Sequence, residues 1–263
     1  KRRGKTAARA AILAALIPAS LLPIGLIPGT ALAQSLSGEG QIVIGCVAAA
    51  GAARAFDDSA GGAITIIAMA LAAMIAGACW SGMAAGLRAA LRIPEAITTL
   101  LLNYVAFNFL LYLLYGPWKD PVSSFPSSEQ YEAVERLPLL GFANLTWALP
   151  VALILAVVIW WLLNVSRFGF YARFVDANPK MAAAVGVPIA LVTLSSALMS
   201  GAISGIGGFV VSAGIEGRMT QSFFLGYTFS GILIAFLARN NPLIAILVAL
   251  FVAVLFVAGQ SLQ

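Results

Sequence analysis

Hydrophobic positions in this chain come in long unbroken runs rather than in alternation or in one-sided helical stripes. Apolar segments fall at about 10–33, 40–55, 61–86, 94–115, 145–164, 188–213, 226–238 and 242–259. Several reach roughly the 20 residues that a helix needs to cross about 30 Å of hydrocarbon. Such runs must be helical in lipid. An open sheet leaves unpaired backbone groups at its edges, and a lipid-facing barrel alternates apolar and polar residues. The pattern predicts an all-α polytopic transmembrane helix bundle with about eight membrane segments, forming one domain over residues 1–263. The one long polar connection, residues 116–144, carries Lys119, Asp120, Glu129, Glu132, Glu135, Arg136 and several prolines. It is expected to lie outside the membrane.

Composition agrees: 61% of residues are hydrophobic and 10% charged, against about 25% charged in an average soluble domain. The excess of 15 Lys and Arg over 10 Asp and Glu is read as orientation rather than as a nucleic-acid surface. Strict alternation from residue 61 onward places Arg88, Arg92, Arg167, Arg173, Lys180 and Arg239 on the cytoplasmic side. Arg54, Lys119, Arg136 and Arg218 then lie outside, where the long loop is net acidic. The chain is therefore expected to cross a membrane several times. Histidine is absent, which removes histidine zinc sites, Ser-His triads and histidine proton relays. Cys46 and Cys79 lie inside apolar runs and read as small buried hydrophobes, so no metal site or disulfide framework is expected.

The first forty residues break the alternation, because counting helices backward puts Lys1, Arg2, Arg3, Lys5 and Arg9 outside. A basic start, an apolar centre and Ala31-Leu32-Ala33 have the form of a secretory signal peptide, with a mature start near Gln34. The preferred reading is that an upstream helix is missing and that Pro18, Pro23 and Pro28 break a re-entrant segment.

Two regions hold candidate functional residues. After the fifth segment, residues 165–187 carry their own helix punctuation: Asn178 as N-cap, Pro179 at the first helical position, alanines behind it, and Gly186 to close in the left-handed conformation. A two-turn surface helix follows, serving either as a docking element or as an ordinary interfacial loop. Inside the membrane, Asn103 lies about 13 Å along its helix from Pro94, where a polar side chain is either glue between helices or part of a solute path. Tyr104, Asn108 and Tyr112 share one helix face, which could stack on a base or sugar ring or simply pack on a neighbour. Glu39 and Gln41 begin an apolar helix, where a carboxylate suits the positive N-terminal end. Gly82 with Gly86, and Gly201 with Gly205, form GxxxG pairs, and Ser200, Ser204 and Gly208 make a second small stripe; both predict close helix packing.

Five ordered motifs carry a family resemblance over roughly residues 36–263: Gly38-Glu39-Gly40-Gln41, Glu95 to Tyr104, Gly116 to Pro121, Arg167-Phe168-Gly169-Phe170, and Asn178 to Ala183. Together they resemble the permeases of bacterial simple-sugar and nucleoside ABC importers, related to the ribose and branched-chain amino-acid permeases. Two departures stand out. Family members usually have Asn-Ile-Gly-Ala-Glu-Gly-Gln where this chain has Ser35 to Gln41, and Asp176 replaces a common glycine.

The resemblance implies a type II importer bundle in a bacterial cytoplasmic (inner) membrane, in which Asn103, Tyr104, Asn108, Glu39 and Gln41, singled out above by depth, helix face and helix-end position, are the candidates for a solute path. It implies a coupling helix that docks on an ATPase, carried here by Arg167, Phe168, Gly169, Arg173, Asn178, Pro179, Lys180, Ala183 and Gly186. It also implies three partners besides the lipid bilayer: an ATP-binding-cassette subunit, a second permease subunit and an extracytoplasmic solute-binding protein. Relatives extend beyond Gln263, so the chain is expected to be trimmed at both ends. No GxxxxGK[ST] loop occurs, so ATP and its Mg are expected on the partner ATPase and the chain itself is not expected to be an enzyme. A nucleoside is the first expectation for the solute and a simple sugar the second. The competing class, an ion-coupled secondary transporter, calls for carboxylates deep in the membrane, whereas Glu39, Glu95 and Glu216 lie near segment ends.

Overall fold

The computed structural model describes residues 39–56, 61–91, 95–140, 146–221, 227–239 and 241–261. In chain order they form α1 (Glu39–Ala55), α2 (Gly62–Leu91), α3 (Glu95–Tyr115), α4 (Ala148–Asn164), α5 (Arg167–Ala177), α6 (Pro179–Ala184) and α7 (Ile189–Val211). A π-helical turn, Ser212–Glu216, then precedes α8 (Tyr227–Leu237) and α9 (Pro242–Ser261). The expectations for the signal-like or re-entrant start fall on residues outside this description.

Small side chains on α2 face inward and most large apolar ones outward, the sense opposite to that of a soluble helix. On α2, Thr65, Met69, Ala73, Gly77 and Ser81 recur every four residues and are buried, whereas Ile64, Ile67, Leu71 and Ile75 are exposed on the other side. Large apolar side chains gain nothing from being inside when the surrounding solvent is itself hydrocarbon. Small residues inside let helix backbones approach, and dispersion and close fit then hold the bundle together.

α1 is the hub. Its turns from Ile42 through Val43, Cys46, Ala49, Ala50 and Ala53 are buried, as befits a helix that is apolar all round. Three helices meet at backbone contact: a Cβ on Gly77 would strike the Gly201 carbonyl, one on Gly205 the Ala73 carbonyl, and one on Gly208 the Ile42 carbonyl. Gly45 of α1 faces the Gly205 backbone in the same way. The expected Gly201–Gly205 pair is therefore a packing seam. The Gly82–Gly86 pair is not, because Gly82 meets only Leu198 and Gly86 has open space around its missing Cβ.

Three described helical stretches are long and apolar enough to cross a membrane: Gly62–Leu91, Ile97–Tyr115 and Ile189–Glu216. α4 and α5 make a fourth only when counted together, and they bend by 64°. The count of eight segments is thus not reached by described helices of crossing length. Gly40–Ala55 and Pro242–Leu255 are shorter apolar helices, and α8 has 11 residues. An apolar run in sequence marks what lipid or protein surrounds it, not whether it crosses.

Residues 116–140 do not hang free at their end of the bundle. Tyr131 and Leu137 are buried, and the backbone pairs with the turn after α7: Ser128 N–H donates to Met219 O at 2.9 Å, Tyr131 N–H to Gly217 O at 2.8 Å and Leu137 N–H to Ala213 O at 3.2 Å. Ser127 and Thr220 form an isolated antiparallel bridge. Thr220 and Gln221 are accordingly not helical, and residues 222–226 lie outside the description. Arg54 and Arg136, assigned to one side from charge alternation, converge here with Trp118 and Glu129 of the 116–144 connection. Arg54 lies 3.8 Å from Glu129 and 5.0 Å from the Trp118 ring centre, while Arg136 borders Gly217.

Candidate functional site

α1 begins inside the protein, so the first N–H groups of the helix, which have no partners within it, need partners from elsewhere. Asn103 of α3 supplies one: its Oδ1 accepts from Gly40 N–H at 2.8 Å. Gly40 is required by what surrounds it, since a Cβ there would stand 2.7 Å from Asn103 Oδ1 and 3.0 Å from Trp80 Nε1. The indole nitrogen of α2 thus points at the same helix start.

Around this start several buried polar atoms have no hydrogen-bond partner among the described residues: Gln41 Oε1, Trp80 Nε1, and the hydroxyls of Ser200 and Ser204. Gln41 is 4% exposed and Ser204 0%. Ser204 is next to Gly205, which touches Gly45, and one turn before Gly208, which touches Ile42, so α7 brings its hydroxyls to the level of the first turns of α1. An unsatisfied buried polar atom costs roughly 1–3 kcal/mol, and more in hydrocarbon. The arrangement is therefore suited to a polar occupant, water or solute. The helices that meet α1 here bring little charge: α7 carries no charged residue, α2 only Arg88 in its last turn, and α3 only Glu95 at its first position, while α1 itself starts with Glu39. Among the described residues, no three Cys, Asp or Glu side chains are grouped as a metal site.

Of the residues expected on a solute path, Gln41 and Asn103 meet at this point, and Glu39 opens the same helix. Tyr104 and Asn108 do not join them. Tyr104 is 68% exposed on the outside of α3, Tyr112 shares that face, and Asn108 Nδ2 donates to the Tyr104 carbonyl at 2.8 Å. Adjacent residues on a helix diverge by about 100°, so an inward Asn103 sends Tyr104 outward. Trp80 was missed by sequence reasoning. Its signal was depth: tryptophan favours the membrane interfaces, and Trp80 lies in the middle of an apolar run.

At the other end of α7, α4 turns sharply into α5. Ser166 caps α5 by accepting from Gly169 N–H at 3.3 Å, and its hydroxyl donates back to the Leu162 carbonyl. Gly169 is buried against the Leu163 backbone, where no Cβ fits. Arg173 Nε donates to the Gly169 carbonyl at 3.2 Å. α6 follows the expected punctuation: Asn178 Oδ1 accepts from Met181 N–H at 3.1 Å, Pro179 occupies the first turn, and Gly186 adopts φ +86°. The added feature is α5 itself, a further helix where only a connecting stretch was expected. Arg167, Arg173, Lys180 and Ala183 are exposed on this elbow and Phe168 is half-buried. Between them Phe170, Tyr171, Met181 and Val185 stand out from the surface, with Phe170 stacked on Phe174. Asp176 is pushed above its ordinary value by partial burial.

At the far end a cleft of about 190 Å³ is lined by Arg54, Thr65, Glu129, Tyr131 and Glu135, among others. Burial raises Tyr131 well above the usual phenol range, with the Ser212 hydroxyl opposing the shift, so its side chain stays neutral.

A family model described as branched-chain amino acid transport system, permease component, matches residues 8–262. The chain belongs to this permease family. The permease is similar to a glucose ABC transporter permease protein of Haloferax volcanii, with 35% identity over 240 residues, covering 87% of the chain and 63% of the relative. It is also similar to a guanosine ABC transporter permease protein of Bacillus subtilis, with 29% identity over 80% of the chain and 61% of the relative. A nucleoside ABC transporter permease protein of Lactococcus lactis subsp. cremoris is 26% identical over 70% of the chain and 61% of the relative. The permease therefore spans about six-tenths of the length of these relatives. No solved structure matches it. Membership and the crossing helices together make the permease a membrane protein.

Proposed function

We propose that the chain is the membrane-spanning permease of an ATP-binding-cassette importer, moving a neutral, hydroxyl-bearing solute, with a nucleoside as the first choice. The observation that carries this reading is the elbow of α5 and α6. Phe170, Tyr171, Met181 and Val185 are exposed at a bundle end rich in Arg and Lys, the end that charge alternation places in the cytoplasm. Apolar side chains grouped among cations in water are suited to a protein partner that covers them, and a separate ATPase holding ATP and Mg is the partner proposed. An external binding protein and a second permease subunit complete the assembly. The permease itself makes and breaks no covalent bond.

Movement at the elbow has a route to the polar cluster. α5 and α6 both pack on α7, and α7 touches α1 and α2 backbone to backbone through Gly201, Gly205 and Gly208. A seam with no side chains to yield transmits displacement rather than absorbing it. ATP-driven displacement of the elbow would then shift α7 against the first turns of α1, where Gln41, Trp80 and Asn103 lie. A simple sugar is the second reading for the solute, favoured by the Haloferax volcanii relative named for glucose.

The test is uptake of radiolabelled guanosine and glucose into proteoliposomes holding the full-length permease, its ATPase and its binding protein. Uptake that requires ATP supports the importer. Uptake driven by an ion gradient alone, or none of either solute, overturns it.

A further inference from the structure

Trp80 belongs to no motif that the family resemblance rests on, and its ring is only half-buried, yet its nitrogen is wholly enclosed and without a partner among the described residues. That nitrogen is held against the N-terminal turn of α1, 3.0 Å from where a Gly40 side chain would begin. An indole N–H can only donate. It cannot be satisfied by the neighbouring Gly40 N–H, which is also a donor and is already taken by Asn103. Gln41 on the same turn presents the complementary defect, an acceptor oxygen without a donor, in a side chain that is 4% exposed. Donor and acceptor thus sit on one helix start, with the hydroxyls of Ser200 and Ser204 nearby on α7.

We propose that Trp80 and Gln41 are solute-contacting residues that read hydroxyl groups, the indole N–H donating to a solute oxygen and Gln41 Oε1 accepting from a solute O–H. A hydroxyl is both donor and acceptor, so a single solute diol meets both needs. A solute carboxylate would find no cation among the side chains described there, the start of α1 adding only the acidic Glu39, and transfer of an unpaired charge into this site is strongly disfavoured. The pair therefore selects neutral hydroxylated solutes over zwitterions such as amino acids. Within the importer reading, on which this proposal rests, Trp80 is a specificity determinant.

The experiment uses the complete importer in proteoliposomes, with guanosine, 2′,3′-dideoxyguanosine, glucose and leucine as labelled probes. Trp80→Phe keeps a ring and removes the donor; Gln41→Met keeps the length and removes the acceptor. Each is expected to raise KM for the transported hydroxylated solute about tenfold, the worth of roughly one well-placed hydrogen bond. Maximal rate and assembly with the ATPase stay near wild type, and the wild-type preference for guanosine over its dideoxy analogue narrows. If the wild type transports guanosine or glucose while both variants keep its KM and its discrimination, the proposal fails and the importer reading stands. Loss of thermal stability with unchanged KM also overturns it, because the residues are then packing elements. Leucine uptake matching guanosine uptake overturns the selection for neutral solutes. If the wild type moves no probe with ATP, the importer reading itself falls.

Discussion

Asn103 Oδ1 lies 2.8 Å from the Gly40 backbone nitrogen, joining residues 63 apart in sequence. One side chain in the middle of α3 thereby caps the buried start of α1. Asn103 ties α3 to α1 in this way, beside the indole nitrogen of Trp80.

Asn103→Leu leaves Gly40 N–H without an acceptor in an apolar site. The expected cost is about 1–2 kcal/mol, seen as a melting temperature lowered by roughly 2–8 °C in detergent. Transport per assembled molecule is expected to fall too, because the first turn of α1 frays beside Trp80. Unchanged melting would remove the capping role.

Gly205→Val and Gly86→Ala separate seam glycines from idle ones. A side chain at Gly205 must displace the Ala73 backbone, and overpacking of this sort costs about 1–3 kcal/mol or more. Gly86 has nothing within 4 Å of an added Cβ, so alanine there is expected to be neutral or to stabilise by up to about 1 kcal/mol. The check is thermal unfolding of both variants; equal effects would sink the packing account.

Met181→Asp and Val185→Asp are expected to abolish ATPase association, and the charge reversals Arg173→Glu and Lys180→Glu to weaken it. All four residues are exposed, so membrane insertion and melting stay near wild type. Pull-down of the ATPase from purified complexes measures this. Full association by all four variants would refute the elbow as the coupling surface.

Asn178→Ala removes the cap of α6 at a cost of about 1 kcal/mol. Since α6 has 6 residues, little else keeps it helical, and ATP hydrolysis is expected to become uncoupled from uptake. The ratio of solute moved to ATP consumed is the quantity to follow; a wild-type ratio would show that α6 need not be helical to couple.

At the opposite end, Tyr131→Ala deletes a buried ring and is expected to cost about 3–5 kcal/mol, as for other large aromatic truncations. Glu129→Ala breaks an ion pair at 3.8 Å whose partners are 39% and 63% exposed, and is expected to cost less than about 1 kcal/mol. Comparable losses in melting would mean that the ion pair, not burial, holds the loop.

Much was legible before the structure because it is local or follows from the solvent. Long apolar runs imply lipid and helix wherever they occur, which is why the all-α bundle could be read directly. The Asn178, Pro179 and Gly186 punctuation needs only backbone groups a few residues away, and all three behave as expected. Charge alternation correctly grouped Arg54 with Arg136, since it depends on position along the normal and not on packing.

What only the tertiary structure decided depends on residues distant in sequence and on which face turns inward. Tyr104 and Asn103 are neighbours that point apart, and no periodicity in an apolar helix says which face meets protein rather than lipid. Gly86 and Gly205 have similar local contexts but opposite surroundings. Trp80 became a candidate only when α1 placed Gly40 against its nitrogen. The sequence by itself determined the solvent, the helices and their local caps, because these arise from each residue's own chemistry; the polar cluster arose only when four helices met, because an unsatisfied buried atom is defined by its neighbours.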